Sequence, residues 1–190
     1  STIIEKIHKE GDFMRLTTLK LKNFRGYRGE TVVGFDDLTA FVGKNDVGKS
    51  TILEALDIFF NDKNSVAKIE KGDINKQSQQ DGDTDICISA CFSELPERIV
   101  IDSSNETSFS AEYLLNESSE LEIVKKYPNG GTAKVYVRAN HPKNPMCCDL
   151  LSKTNAELKK LLNEQHIDCD DRTKNACIRT AIWRHYSDDL

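Results

Sequence analysis

The sequence has no apolar run long enough to cross a bilayer and no signal-peptide core at its N-terminus. The expectation is a chain without membrane contact that stays in the cytoplasm. It also lacks an excess of positive charge: 26 Lys and Arg stand against 31 Asp and Glu, a net charge of −5. That excludes a polybasic nucleic-acid surface, so DNA contact would need a local patch or another part of a larger protein. The six cysteines, Cys87, Cys91, Cys147, Cys148, Cys169 and Cys177, form no Cys-x-x-Cys pair. Reduced, mostly buried thiols are expected. His166 with Cys169, and His141 near Cys147 and Cys148, match no common zinc spacing. Internal repeats, low-complexity tracts and sustained heptads are absent too. The 190 residues suit one domain, or one and a half, with a real core.

What is present is sharper. Residues 43–50 read Gly-Lys-Asn-Asp-Val-Gly-Lys-Ser and fit the phosphate-binding pattern G-x-x-x-x-G-K-[ST]. Gly43 and Gly48 let the backbone turn tightly, so that successive N–H groups aim at one anion. Lys49 supplies a cation for the β- and γ-phosphates, and the Ser50 hydroxyl is the candidate ligand for Mg²⁺. Such a match arises by chance in on the order of one chain in a hundred of this length. The flanks agree with the motif. Leu38 to Val42 is a short, β-prone apolar run, and apolar residues at 52, 53, 55, 56, 59 and 60 follow a helical period. A helix over 49–60 would aim its positive end at the same phosphates.

Two strands, 19–24 and 30–35, precede the loop as a hairpin around Gly26 to Gly29. A long polar stretch, 61–85, reads as a loop with one helical turn. Strands are expected at 85–92, 99–101, 108–115, 121–127 and 132–138, the last two joined by the turn Pro128-Asn129-Gly130-Gly131. Thr154 to Glu157 is a capping box that opens a helix with Leu158, Leu161 and Leu162 on one face. Asp170 or Asp171 is positioned to cap a last helix bearing Ile178, Ile182 and Trp183.

Other constellations carry bland readings beside the functional ones. Arg98 to Asp102 resembles an acid-terminated strand that holds Mg²⁺, but the run is short and no Glu follows; a surface strand end is the simpler reading. Gln77, Gln79 and Gln80 stand where related ATPases carry a phosphate-sensing glutamine, yet they fall in a polar run. Lys22, Arg25 and Arg28, with Phe24 and Tyr27 interleaved, are either a solvated hairpin or a contact to base, ribose or phosphate.

Residues 22–27, Lys-Asn-Phe-Arg-Gly-Tyr, followed by 43–56, resemble the start of the SMC/RecF-like branch of ABC ATPases. The Asn-Asp-x-Gly-Lys-Ser-Thr form is most similar to the OLD family (overcoming lysogenisation defect), ATP-dependent endonucleases often found in anti-phage defence. The resemblance is specific over 15–60. It implies that ATP–Mg²⁺ is cradled by Asn45, Asp46, Val47, Gly48, Lys49, Ser50 and Thr51, with Asn23, Phe24 and Arg25 beside the nucleoside. It also implies a homodimer or higher oligomer through the ATPase domains, DNA reached by the complete protein, and an accessory defence protein or retron nucleic acid as partner. A Leu-Ser-Gly-Gly signature, a convincing Walker B segment, a switch histidine and an acidic Toprim cluster are missing. The expected fold is therefore α/β, an ABC-type P-loop ATPase first lobe with an antiparallel β subdomain over 14–148. A helical segment over 149–190 would lead into an absent C-terminal part. Residues 1–13, with Ile3, Ile4 and Ile7 able to share a helical face, are a native extension or a cloning remnant. The rivals are a RecF- or SMC-type DNA-repair ATPase, a non-hydrolysing nucleotide-binding scaffold, and a small-molecule kinase. The two strands before the loop disfavour the last.

Overall fold

The computed structural model describes residues 14–42, 47–61, 64–102 and 105–186. Gly43, Asn45, Asp46 and the 1–13 extension lie outside the described residues, as does the side chain of Val47. The chain folds as two compact units that interleave in sequence. A sheet unit takes Met14–Glu94 and Glu120–Arg138; a helical unit takes Leu95–Ser119 and the chain from Ala139 onward.

The sheet unit is one five-stranded antiparallel sheet. Its strands are β1 (Arg15–Lys22), β2 (Thr31–Gly34), β3 (Asp85–Ser93), β6 (Leu121–Pro128) and β7 (Lys134–Arg138), in the order β2-β1-β3-β6-β7. The expected hairpins are both present, β1 with β2 and β6 with β7. Strand alternation sorts the side chains by face. Leu19 opposes Ala90, Leu21 opposes Ile88, Ile123 opposes Ala90 and Leu121 opposes Phe92, giving one continuous buried face. Helix α1 (Val47–Asn61) covers that face with Ile52, Ala55, Ile58 and Phe59; the Phe59 and Phe92 rings are 6.4 Å apart. Each such side chain contributes about 1.5–3 kcal/mol by leaving water. Lys125 shares the face and lays its ammonium 5.4 Å from the Phe59 ring centroid. The opposite face carries an ionic ladder. Buried Glu122 accepts from Lys20 at 2.8 Å, and its second oxygen lies 3.0 Å from Arg138 Nη1, a charge contact without hydrogen-bond alignment.

Three expectations are corrected here. Leu38 to Val42 forms no strand: it has no ladder partner among the described residues, and Leu38 and Val42 are 89% and 92% exposed. β-propensity cannot build a strand without a neighbour for its backbone groups. Residues 108–115 are turns rather than a strand. Ser108 Oγ accepts from Ala111 N at 3.1 Å, and Ser108 O from Glu112 N at 3.1 Å, so local bonds replace a ladder. Neither Asp170 nor Asp171 caps the last helix. Asp171 Oδ1 accepts from Thr173 N at 2.9 Å in a turn before it, and Lys174 stands at the cap.

The polar stretch 61–85 holds a 3₁₀ turn (Lys71–Asp73) and a short helix α2 (Lys76–Gln80). Asn75 caps α2 by accepting from Gln77 N and Ser78 N. In the helical unit, the small ribbon β4 (Ile99–Val100) and β5 (Glu106–Thr107) precedes helices α3 (Asn155–Glu164) and α4 (Asn175–His185). The Thr154–Glu157 capping box forms as expected. Leu158, Leu162, Ile167, Ile178, Ile182 and Trp183 make the core of this unit. The architecture is thus mixed α/β with an antiparallel sheet and a helical C-terminal segment.

Candidate functional site

Helix α1 starts at Val47, so Gly48, Lys49, Ser50 and Thr51 form its first turn. No acidic side chain lies in that turn, and a helix N-terminus carries partial positive charge. Ser50 is exposed, Gly48 and Lys49 are half-buried, and Thr51 faces the core.

Behind this turn lies the bend that joins β1 to β2. Asn23 has φ 57° and is fully buried. Its amide donates to the carbonyls of Asp83 and Asp85 at 2.8 and 3.2 Å and accepts from Asn75 N at 3.2 Å. Asn tolerates left-handed backbone because its short side chain bonds locally. Phe24, also fully buried, bridges Tyr27 and Ile74. Arg25, at φ 50°, sets its guanidinium 5.0 Å from the Phe24 ring centroid. Its Nε donates to Asp73 Oδ1 at 2.8 Å, and its Nη1 ion-pairs with Glu54 on α1. Burial pulls the Arg25 pKa down, but the bonds to Asp73 and Glu54 outweigh it and hold the pKa above the ordinary value. Tyr27 Oη donates to Gly48 O at 3.2 Å.

Every cation of the bend has a carboxylate partner. Lys22 pairs with Asp83 at 3.1 Å, Arg25 with Asp73 and Glu54, and Arg28 with Asp81 at 2.5 Å. The hydrogen bond from Lys22 holds the Asp83 carboxyl below its usual range. The stretch 61–85 is therefore the counter-charge for the bend. Glu54 and Asp73 escaped sequence reasoning as parts of the site, whereas Tyr27 already reads from the sequence as an aromatic interleaved with the basic residues of the bend. The signal was present as three acids at 73, 81 and 83 matching three bases at 22, 25 and 28.

Other candidates separate from this site. Gln77, Gln79 and Gln80 lie exposed on α2. Asp102 is neither a bare strand end nor poised for a metal. It accepts from Arg179 Nη1 at 2.6 Å, while Glu112 takes the same guanidinium at 2.7 and 2.6 Å. Among the described residues no three His, Cys, Asp or Glu side chains converge as metal ligands. The cysteines are free thiols, and burial followed by the Glu122 charge pushes Cys91 up to about 11. No helix among the described residues is long and apolar enough to cross a membrane. A groove of about 860 Å³ in the helical unit is lined by residues such as Arg98, Asp168, Cys177 and Arg184.

A family model described as AAA ATPase domain matches residues 14–189. Structural maintenance of chromosomes protein 1 of Schizosaccharomyces pombe is 38% identical over 52 residues, covering 27% of this chain and 4% of that protein. Its Caenorhabditis elegans counterpart is 35% identical over 57 residues, covering 30% of this chain and 4% of its own length. The chain thus matches only a small fraction of the length of these curated relatives. Among solved structures, the SMC head domain from Thermotoga maritima aligns with a TM-score of 0.38 and 19% identity, over 67% of this chain and 38% of that one. A chain described under ATP-driven dimerization and DNA stimulated activation of SMC ATPases aligns with a TM-score of 0.41 and 18% identity, over 80% of each chain.

Proposed function

The chain belongs to the AAA ATPase domain family, and from that premise we propose that residues 43–51 hold ATP–Mg²⁺ and that the complete protein uses it to drive DNA processing. The observation that carries this reading is the first turn of α1. Gly48, Lys49 and Ser50 open the helix with no acid in its first turn, and the turn is tied to the bend behind it by Tyr27 and Arg25. Donors and chemistry fit the ligand. Main-chain N–H groups and the Lys49 ammonium attract phosphate oxygens, and the exposed Ser50 hydroxyl is a hard oxygen ligand suited to Mg²⁺. Bound Mg²⁺ supplies neutralising charge for the β- and γ-phosphate oxygens. Asn23 and Phe24 act from inside the fold, and Arg25 is the member of that trio that is only half-buried.

In this reading two such ATPase domains close around ATP, and the remainder of an OLD-type endonuclease cuts DNA, in defence against phage. The Asn-Asp-x-Gly-Lys-Ser-Thr form over 45–51 favours it. The stretch of 52 residues at 38% identity to a structural maintenance of chromosomes protein favours a second reading, an SMC-type ATPase of DNA repair or organisation. An acidic Toprim cluster in the remainder of the native protein, with metal-dependent DNA cleavage, selects the first; long heptads select the second.

Lys49→Ala tests the site itself. Losing a charge-assisted contact worth roughly 1.5–3 kcal/mol should weaken ATP binding by about 10- to 100-fold, with the melting temperature of the unliganded protein unchanged. Titration calorimetry on the full-length protein reads this directly, and unchanged affinity rejects the site.

A further inference from the structure

We propose that Asn129 is a site of spontaneous chemical modification: its carboxamide closes onto the Gly130 nitrogen, and the isoaspartate that results loosens the turn holding Arg25. The inference is independent of what the phosphate-binding loop binds.

The fold imposes the dipeptide. Gly131 N donates to Pro128 O at 2.9 Å, and the two residues between them, Asn129 and Gly130, have φ 55° and 66°. Positive φ at both central positions is the type I′ turn, whose twist suits a hairpin and which selects Asn-Gly. Position 130 has no room for a side chain, since a Cβ there would lie 2.8 Å from the main chain of Glu70 and Lys71. Of the asparagines in the sequence, Asn129 alone precedes a glycine.

The residues that this turn requires are also those that the reaction requires. Gly130 N attacks Asn129 Cγ. An N–Cγ bond forms, the bond from Cγ to the amide nitrogen breaks, and the Gly130 amide proton leaves with that nitrogen as ammonia. The product is a cyclic imide, which water opens in either of two ways. Attack on Cγ gives aspartate with the ordinary main chain. Attack on the main-chain carbonyl carbon of residue 129 gives isoaspartate, in which the chain runs through Cβ and Cγ and is longer by a methylene.

Three features of the turn favour closure. Gly130 has no side chain to screen its nitrogen. Its N–H donates to Tyr127 O at 3.3 Å, a longer bond than Asn129 N makes to Thr84 O (3.1 Å) or Gly131 N to Pro128 O (2.9 Å). Asn129 is exposed, and among the described residues its carboxamide makes no hydrogen bond. An exposed loop tip also opens with little free energy, which lets the carboxamide swing onto the nitrogen.

The added methylene meets a packed neighbour. Gly130 sits against the Glu70–Lys71 peptide, so a longer turn displaces one or the other. Glu70 is tied directly to Asp73: Glu70 N donates to Asp73 Oδ2 at 2.9 Å, and Asp73 N to Glu70 O at 3.0 Å. Asp73 Oδ1 accepts from Arg25 Nε at 2.8 Å. A change at position 129 thus reaches the partner of Arg25 through two contacts.

The test ages the full-length protein in warm, mildly alkaline buffer beside its Asn129→Gly variant. Glycine accepts the same φ and carries no carboxamide. The free peptide of residues 126–132 is aged alongside to set the unhindered rate. Peptide mapping with electron-transfer fragmentation reads isoaspartate at 129, and hydrogen exchange reads residues 70–75. The expected result is isoaspartate at 129 ahead of every other asparagine of residues 14–186, with a several-fold rise in exchange at 70–75. Aged Asn129→Gly should keep the exchange of fresh protein. Asn129 still intact when the free peptide has fully converted overturns the inference, because the turn then shields the pair. Conversion without a change at 70–75, or an equal rise in aged Asn129→Gly, overturns it as well.

Discussion

Asn23 is the residue on which the bend depends. Its fully buried side chain satisfies two main-chain carbonyls and one N–H, and its backbone occupies a region that few residues tolerate. Asn23→Ala should therefore destabilise the sheet unit by about 2–4 kcal/mol, from orphaned buried polar groups and backbone strain together. Urea unfolding followed by circular dichroism measures it. A loss below about 0.5 kcal/mol, the range of an ordinary surface substitution, contradicts this account. The sequence announced Lys49 and Ser50 because the loop motif is local, with fixed spacing and fixed residue types. It did not announce Glu54 or Asp73 as partners of Arg25, since these come together only once β1, α1 and the 3₁₀ turn have folded around each other. For the same reason Asn23 read as a ligand contact when its amide is committed to the backbone of residues 75, 83 and 85.

At the scale of elements, alternation and turn chemistry made β1, β3, β6 and β7 legible, and the capping box marked the start of α3. The strand expected at 38–42 and the strand expected at 108–115 failed because propensity describes a segment alone, whereas a strand is a relation between two. The β6–β7 turn shows how strongly such a relation constrains one residue. Gly130 has φ 66°, and a Cβ there would lie 2.8 Å from the main chain of Glu70 and Lys71. That backbone leads into Asp73, the partner of Arg25. Gly130→Ala should cost about 1–3 kcal/mol through φ strain and the backbone clash together. It should also loosen the bend, seen as faster amide exchange at residues 70–75. Unaltered exchange there would mean that the turn and the bend are mechanically separate.

At the scale of the whole molecule, the two interleaved units stand on different supports. The sheet unit rests on an apolar face and a ladder of charges. The helical unit adds a buried ionic triad, with Arg179 fully buried between Glu112 and Asp102. Removing one member of such a group leaves uncompensated charge and costs roughly 3–5 kcal/mol. Arg179→Met should therefore lower amide protection across 95–119 and 139–186 while β1, β3 and β6 keep theirs. Uniform loss across both units would show instead that they unfold as one. No local motif reveals this triad, since Asp102 and Arg179 are far apart in sequence and acquire meaning only as a pair.

The interleaving also bears on how the chain is made. β3 is a central strand, yet its second neighbour β6 follows only after the whole of Glu94 to Glu120. On a ribosome adding about 5–20 residues per second, β1, β2 and β3 emerge and can pair while one edge of β3, rich in Ile, Cys and Phe, still lacks its partner. An unpaired apolar edge is a template for other chains. For those seconds the newborn polypeptide is adhesive, and the β6–β7 hairpin is the piece that seals it.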